Sequence, residues 1–159
     1  MATVNARKGS AGFTSACGGT IFTLYAAIDF SKLKDSTGAA YTPTSTDVLQ
    51  ILDIPAGCRV MHVTAKVDTV MGSAGTLKVG DASDDDGYIT SLDLNTTGYT
   101  KENGAYLIFT DADVTGNMPV VGGKIYSSAA VLQGTFGGTL AALGIVQFYV
   151  TVERLTDQA

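Results

Sequence analysis

Tryptophan is absent from the 159 residues, histidine occurs once, and cysteine and glutamate occur twice each. Each shortage removes a class of protein. With His62 as the sole imidazole, any Ser–His or Cys–His nucleophile system would have to work through that one ring. It sits in the apolar run Arg59-Val60-Met61-His62-Val63-Thr64, where a packed structural histidine is expected, and no serine or cysteine motif surrounds it. No enzymatic activity is expected. Cys17 and Cys58 stand far apart, with no CxxC pair and no histidine cluster, so neither a disulfide framework nor a zinc site has support. Basic charge is also scarce: 10 Lys+Arg stand against 15 Asp+Glu, for a net charge of −5, and the longest basic run is Arg7-Lys8. That pattern lacks the positive footprint that phosphate contacts require. No window approaches the roughly 20 apolar residues that span a bilayer. The GSAGFTSACGG stretch after Arg7-Lys8 is too rich in Gly and Ser to serve as the apolar part of an export signal. The expectation is a protein used without secretion, with no nucleic-acid and no membrane partner.

What is present points to strands. The chain holds 19 Gly, 21 Thr and 10 Ser, and 13 of its 15 acids are Asp. Asp, Ser and Gly favour turns, Thr suits a pleated strand, and the straight-chain helix formers are few. Hydrophobic residues make up 45 %, enough for the core of a single domain. Strand-like runs fall at 21–30, 47–54, 58–71, 76–79, 88–94, 105–110, 119–121, 124–128, 130–136 and 145–155, separated by turn signals such as Pro55-Ala56-Gly57 and Gly72-Ser73-Ala74-Gly75. In 58–71 one face, Val60, His62, Thr64, Lys66 and Asp68, alternates with Met61, Val63, Ala65, Val67 and Thr69. The expected fold is all-β, an antiparallel two-sheet β-sandwich of the jelly-roll type with about eight strands. An immunoglobulin-type sandwich fits less well, because the Cys–Trp–Cys spacing is missing. Residues 1–20, rich in Gly, Ala, Ser and Thr, read as an extended N-terminal arm, and 21–159 as the sandwich domain.

Two groups of residues invite a site. Residues 81–87 form an acidic segment, expected to be a loop, that contains Asp84, Asp85 and Asp86. Set against a calcium-binding EF-hand loop with Gly87 at its sixth place, Asp84 and Asp86 fall at the third and fifth and Asp93 at the twelfth. The match fails at both ends: Ala82 stands first, and Asp93 replaces the required Glu. Asp84, Asp86 and Asp93 are the residues that would hold a calcium ion. Capping of backbone amides explains the segment better, and no cofactor is expected. Tyr25, Tyr88, Tyr99, Tyr106 and Tyr126 could form a carbohydrate-stacking platform, although core and sheet-edge packing is the simpler use of such residues.

The stretch 46–95, TDVLQILDIPAGCRVMHVTAKVDTVMGSAGTLKVGDASDDDGYITSLDLN, resembles small structural proteins of tailed bacteriophages. Its order is a D-V strand, an I-P-A-G turn, a long alternating strand, GSAGTL-x-VGD and a final D-x-D-G-Y. The functional class this resemblance implies is the capsid decoration, or cement, protein. Such a protein binds the outside of the phage head and stabilises the lattice of the major capsid protein. It implies a virion location at the capsid surface, assembly in the host cytoplasm, and partners that are the major capsid protein and further copies of the chain as a dimer or trimer. Phage tail and neck proteins carry related sandwiches, and a carbohydrate-binding jelly-roll module is an alternative from another class. The expected capsid contacts lie in the arm and at the start of the domain, at Phe13, Thr14 and Ile21, and in the acidic segment, at Asp84, Asp85 and Asp86.

Overall fold

Period-two burial runs through the long strands, and it is this alternation that builds the molecule. The computed structural model describes residues 3–5, 21–72, 74–99, 123–140 and 144–155. Within them the strands are β1 Thr3–Asn5, β2 Ile21–Asp29, β3 Val48–Ile54, β4 Cys58–Thr69, β5 Thr76–Asp81, β6 Asp84–Asp93, β7 Gly98–Tyr99, β8 Lys124–Tyr126, β9 Ala130–Gly137 and β10 Ile145–Arg154. One sheet has the order β1-β3-β9-β5-β6, and the other β2-β10-β4-β7 with β8 also on β4. Apart from the parallel β1–β3 contact, every pairing between these strands is antiparallel. Chain order crosses between the sheets at nearly every step: β2, β4, β7, β8 and β10 fall in the second sheet, and β3, β5, β6 and β9 in the first. This is the interleaved pattern of a jelly-roll β-sandwich, as the spacing of strand and turn signals implied. The runs at 105–110 and 119–121 lie outside the described residues.

The core lies between the two sheets. From β2 it takes Leu24, Ala26 and Ile28, from β10 Val146, Phe148, Val150 and Val152, and from the facing sheet Leu49, Ile51, Leu77, Val79 and Leu132. Phe30, just past β2, meets Phe136 of β9 edge-on, with ring centroids 5.7 Å apart, so the sheets are also joined through aromatic packing. Backbone strand β1 continues the first sheet beyond β3, pairing Thr3 with Val48, Val4 with Leu49 and Asn5 with Gln50.

Three local features depart from the simple alternation. In β4 the partners of Thr151 and Val152 are His62 and Val60, so Met61 is an extra residue in the ladder. The bulge shifts the phase by one: Cys58 and Val60 face inward, and then Val63, Ala65 and Val67 do. The expected polar face containing both Val60 and His62 is thereby corrected. The second departure is the acidic segment, which is a strand and not a loop. The chain turns over Ala82 and Ser83 alone, and Asp84 already pairs with Asp81. The cause is the Asp81 side chain, whose Oδ1 accepts from Ser83 N at 2.9 Å, Ser83 Oγ at 2.6 Å and Asp84 N at 3.2 Å, closing a tight Asx turn. Thirdly, two short pieces, β7 and β8, share the position of one strand beside β4. Gly98 and Tyr99 pair with Val67 and Lys66, whereas Lys124, Ile125 and Tyr126 pair with Val60, Arg59 and Cys58.

Candidate functional site

Opposite residues on paired strands point to the same side of a sheet. Lys124 and Tyr126 lie opposite the inward-facing Val60 and Cys58, and they reach across to the other sheet. There Asp81 is buried at the end of β5. Its Oδ2 accepts from Lys124 Nζ and from the Tyr126 hydroxyl, each at 2.5 Å. Lys124 also donates to Ser83 Oγ at 2.9 Å, and the Tyr88 and Tyr126 hydroxyls are 2.5 Å apart. Burial opposes ionisation of Asp81, but the Lys124, Ser83 and Tyr126 hydrogen bonds outweigh it and hold the carboxyl well below the ordinary range. The phenols move the other way. Burial first, then the neighbouring Tyr88 and the Asp81 contact, push Tyr126 far above its ordinary value, and burial does the same to Tyr88. These five residues fasten the two sheets together at one end of the sandwich. They present an ion pair that is already satisfied, with no unpaired base for chemistry.

Next to this network, β6 bulges. Between the pairs Asp81–Asp84 and Val79–Ile89 the chain advances two residues on β5 and five on β6. The surplus brings Asp84, Asp85 and Asp86 together, with a carboxylate oxygen of each within 4.8 Å of the others. Lys78 Nζ lies 3.5 Å from Asp85 and 3.3 Å from Asp86 and neutralises part of this charge. Asp93 is elsewhere: it pairs with Thr76 at the far end of the same hairpin, where it accepts from Asn95 N and Thr96 Oγ1. The three residues aligned to a calcium loop therefore do not share one site. Among the described residues β6 is the last strand of its sheet, so the acids lie on that outer strand.

His62 is half-buried, with Nε2 against Thr64 Oγ1, and its Nδ1 has no hydrogen-bond partner among the described residues. Burial lowers its pKa, which favours the neutral ring.

The outer face of the second sheet has a different composition. Of the five exposed large hydrophobic residues among the described ones, Ile21, Tyr25, Tyr99, Ile125 and Val70, the first four point outward from this sheet. Register places Tyr25 of β2 opposite Tyr149 of β10, and Tyr149 opposite Thr64 of β4. One row along, Ala27, Gln147, Lys66 and Tyr99 stand side by side. The Tyr25 and Tyr149 rings are 5.1 Å apart and tilted by 46°. Lys66 Nζ lies 5.9 Å from the Tyr99 ring centroid and 2.5 Å from Asp68. Gln147 donates to Asp68 and accepts from the Tyr149 hydroxyl. Of the tyrosines expected as a platform, Tyr25 and Tyr99 are here, Tyr88 and Tyr126 belong to the Asp81 network, and Tyr106 lies outside the described residues. Tyr149, not singled out in the sequence, completes the group. Its place in the plain alternation of β10 was the available signal.

Among the expected capsid contacts, Ile21 opens β2 and is 54 % exposed, and Asp84, Asp85 and Asp86 form the β6 cluster. Phe13 and Thr14 lie outside the described residues.

No protein-family model matches the sequence, and no curated protein does. Solved structures share the fold. A chain of the capsid of Ralstonia phage GP4 aligns over 98 % of this chain and 100 % of its own length, with a TM-score of 0.58 and 13 % identity. A chain of the Cyanophage Pam1 capsid asymmetric unit aligns over 90 % of this chain and 91 % of its own, with a TM-score of 0.50 and 18 % identity.

Proposed function

We propose that this chain is a structural protein of a phage virion, and within that class a decoration protein that binds the outside of the head and stabilises the lattice of the major capsid protein. The observation that carries the reading is the agreement over the whole length with a chain of the Ralstonia phage GP4 capsid, 98 % of one chain against 100 % of the other. Agreement at that extent takes in nearly the whole of both chains and not a sandwich core alone.

The physical features support the same reading. A shell component has to keep one shape, and the Asp81, Lys124 and Tyr126 network fastens the two sheets to each other. Charge on a sheet's outer strands guards against edge-to-edge aggregation, and β6, outermost among the described strands, carries three consecutive aspartates. Many identical weak contacts on a closed shell sum through multivalency, so each protomer needs only a modest interface. In this reading the arm and Ile21 meet the major capsid protein, copies associate as dimers or trimers at symmetry positions, and the protein joins the head in the host cytoplasm.

The test is sedimentation of the purified full chain with expanded heads that lack it. Saturable co-sedimentation at a fixed ratio to the major capsid protein, with heads that then withstand higher temperature, is the expected result. Failure to sediment with heads, or association with tails alone, overturns the decoration role. A chain beginning at residue 21 that binds as tightly as the full chain overturns the role of the arm.

A further inference from the structure

We infer that the outward face of the β2-β10-β4-β7 sheet is a binding platform for a neutral saccharide, with Tyr25, Tyr149 and Tyr99 as its stacking surfaces. The inference is separate from the virion reading and can fail without it.

Exposed tyrosines on a sheet face call for a reason, because a sheet side that meets only water is normally polar. Among the described residues the opposite sheet is mostly polar and carries no large exposed ring on its long strands: its outward positions include Gln50, Asp53, Lys78, Gln133 and Thr135, beside Val48 and Val131. The tyrosine face differs. Its three rings lie on β2, β10 and β7, and three strand spacings separate the outer two by roughly 14 Å across the sheet. Between them stand Thr64, Lys66 and Gln147, and Ala27 leaves a low point beside Tyr25.

This is the chemistry that a sugar ring matches. A pyranose has an apolar face of C–H groups, which packs on an aromatic ring, and a rim of hydroxyls that both donate and accept. The platform supplies donors from Lys66 and Gln147, acceptors from Asp68 and Gln147, and the amphipathic Tyr149 hydroxyl. Charge selects among sugars. Lys66 is paired with Asp68, and Arg59 with Glu153 on the same face, so among the described residues the surface is locally neutral, with its cations already matched by carboxylates. The tyrosine strip, about 14 Å long and two residue rows wide, suits a short run of sugar rings. Tyr25 and Tyr149 stand on long, mutually paired strands and Tyr99 is paired to β4 opposite Lys66, so the ring-bearing backbone is set before any ligand arrives.

Affinity electrophoresis of the full chain tests the inference, in gels cast with dextran, mannan, a β-glucan or the anionic polysaccharide alginate. The expected result is retardation by at least one neutral polysaccharide and not by alginate. Tyr25→Ala and Tyr99→Ala, with unchanged melting temperature, should each weaken binding by roughly tenfold or more. Tyr99→Phe, which keeps the ring, should retain it. No retardation by any neutral polysaccharide, retardation by alginate alone, or retardation indifferent to both alanine variants overturns the inference. If the alanine variants bind heads more weakly and no polysaccharide slows the parent chain, the face is a protein contact and the saccharide assignment is wrong.

Discussion

The Tyr126 hydroxyl donates to Oδ2 of Asp81 over 2.5 Å, joining a strand of one sheet to the end of a strand in the other. Forty-five positions separate the two residues in sequence. Lys124 reaches the same oxygen, so a single carboxylate gathers two donors from β8. Each is turned inward by the same period of two that turns Ile125 outward.

Asp81→Asn is expected to destabilise the protein by about 1–3 kcal/mol at neutral pH, because it weakens the acceptor shared by Lys124 and Tyr126. In a chain of this size that lowers the melting temperature by about 2–4 °C per kcal/mol. The folded pKa of Asp81 lies below the ordinary 3.8, so its stabilisation is complete above that value and is lost as pH falls beneath it. Calorimetry should show the gap between parent and variant narrowing from pH 4 downward; a gap that is constant or widens in acid contradicts the assignment.

Phenolate absorbance on alkaline titration should reach fewer than the seven tyrosines before the protein unfolds. Burial, reinforced by the Asp47 hydrogen bond, pushes Tyr41 up to about 12 from 10, and Tyr126 and Tyr88 go higher still. The stabilisation from Tyr41 is present below pH 10 and is lost as pH rises toward 12. Seven phenolates appearing in the still-folded chain would refute this.

Gly80→Ala should destabilise by about 1–3 kcal/mol, as an overpacking substitution. A Cβ there would lie 1.9 Å from the Asp84 carbonyl oxygen and 2.6 Å from the Asp85 carbonyl carbon, both backbone atoms of the β6 bulge. Urea denaturation is the measurement, and an unchanged midpoint would mean that β6 does not cross so closely.

Burial lowers the pKa of His62, so the ring must gain a proton more readily in the unfolded chain than in the folded one. Its contribution is present above the ordinary 6.5 and is lost as pH falls below it. His62→Gln should therefore flatten the decline in stability on the acid side of 6.5. A slope identical to that of the parent would show that His62 titrates as a solvated residue.

Strand composition and the spacing of turns made the sandwich legible, since both follow from local preference and from burial on one face. The Met61 bulge could have been read from the step of three between the inward Val60 and Val63, but a strict period of two conceals it. The acidic run misled for a physical reason: Asp is depleted in strands, yet on an outer strand closed by the Asp81 turn its charge is tolerated. The tyrosines carried too little local information to be sorted. Tyr88 and Tyr126 go to the buried network and Tyr25, Tyr99 and Tyr149 to the open face, and only strand register decides which.

Because β7 and β8 are separately hydrogen-bonded to β4, the sandwich holds both ends of whatever sequence connects them. The two anchor points lie six residues apart along β4, roughly 20 Å. β4 thus serves as a single rail for two separate ladders, one toward each of its ends.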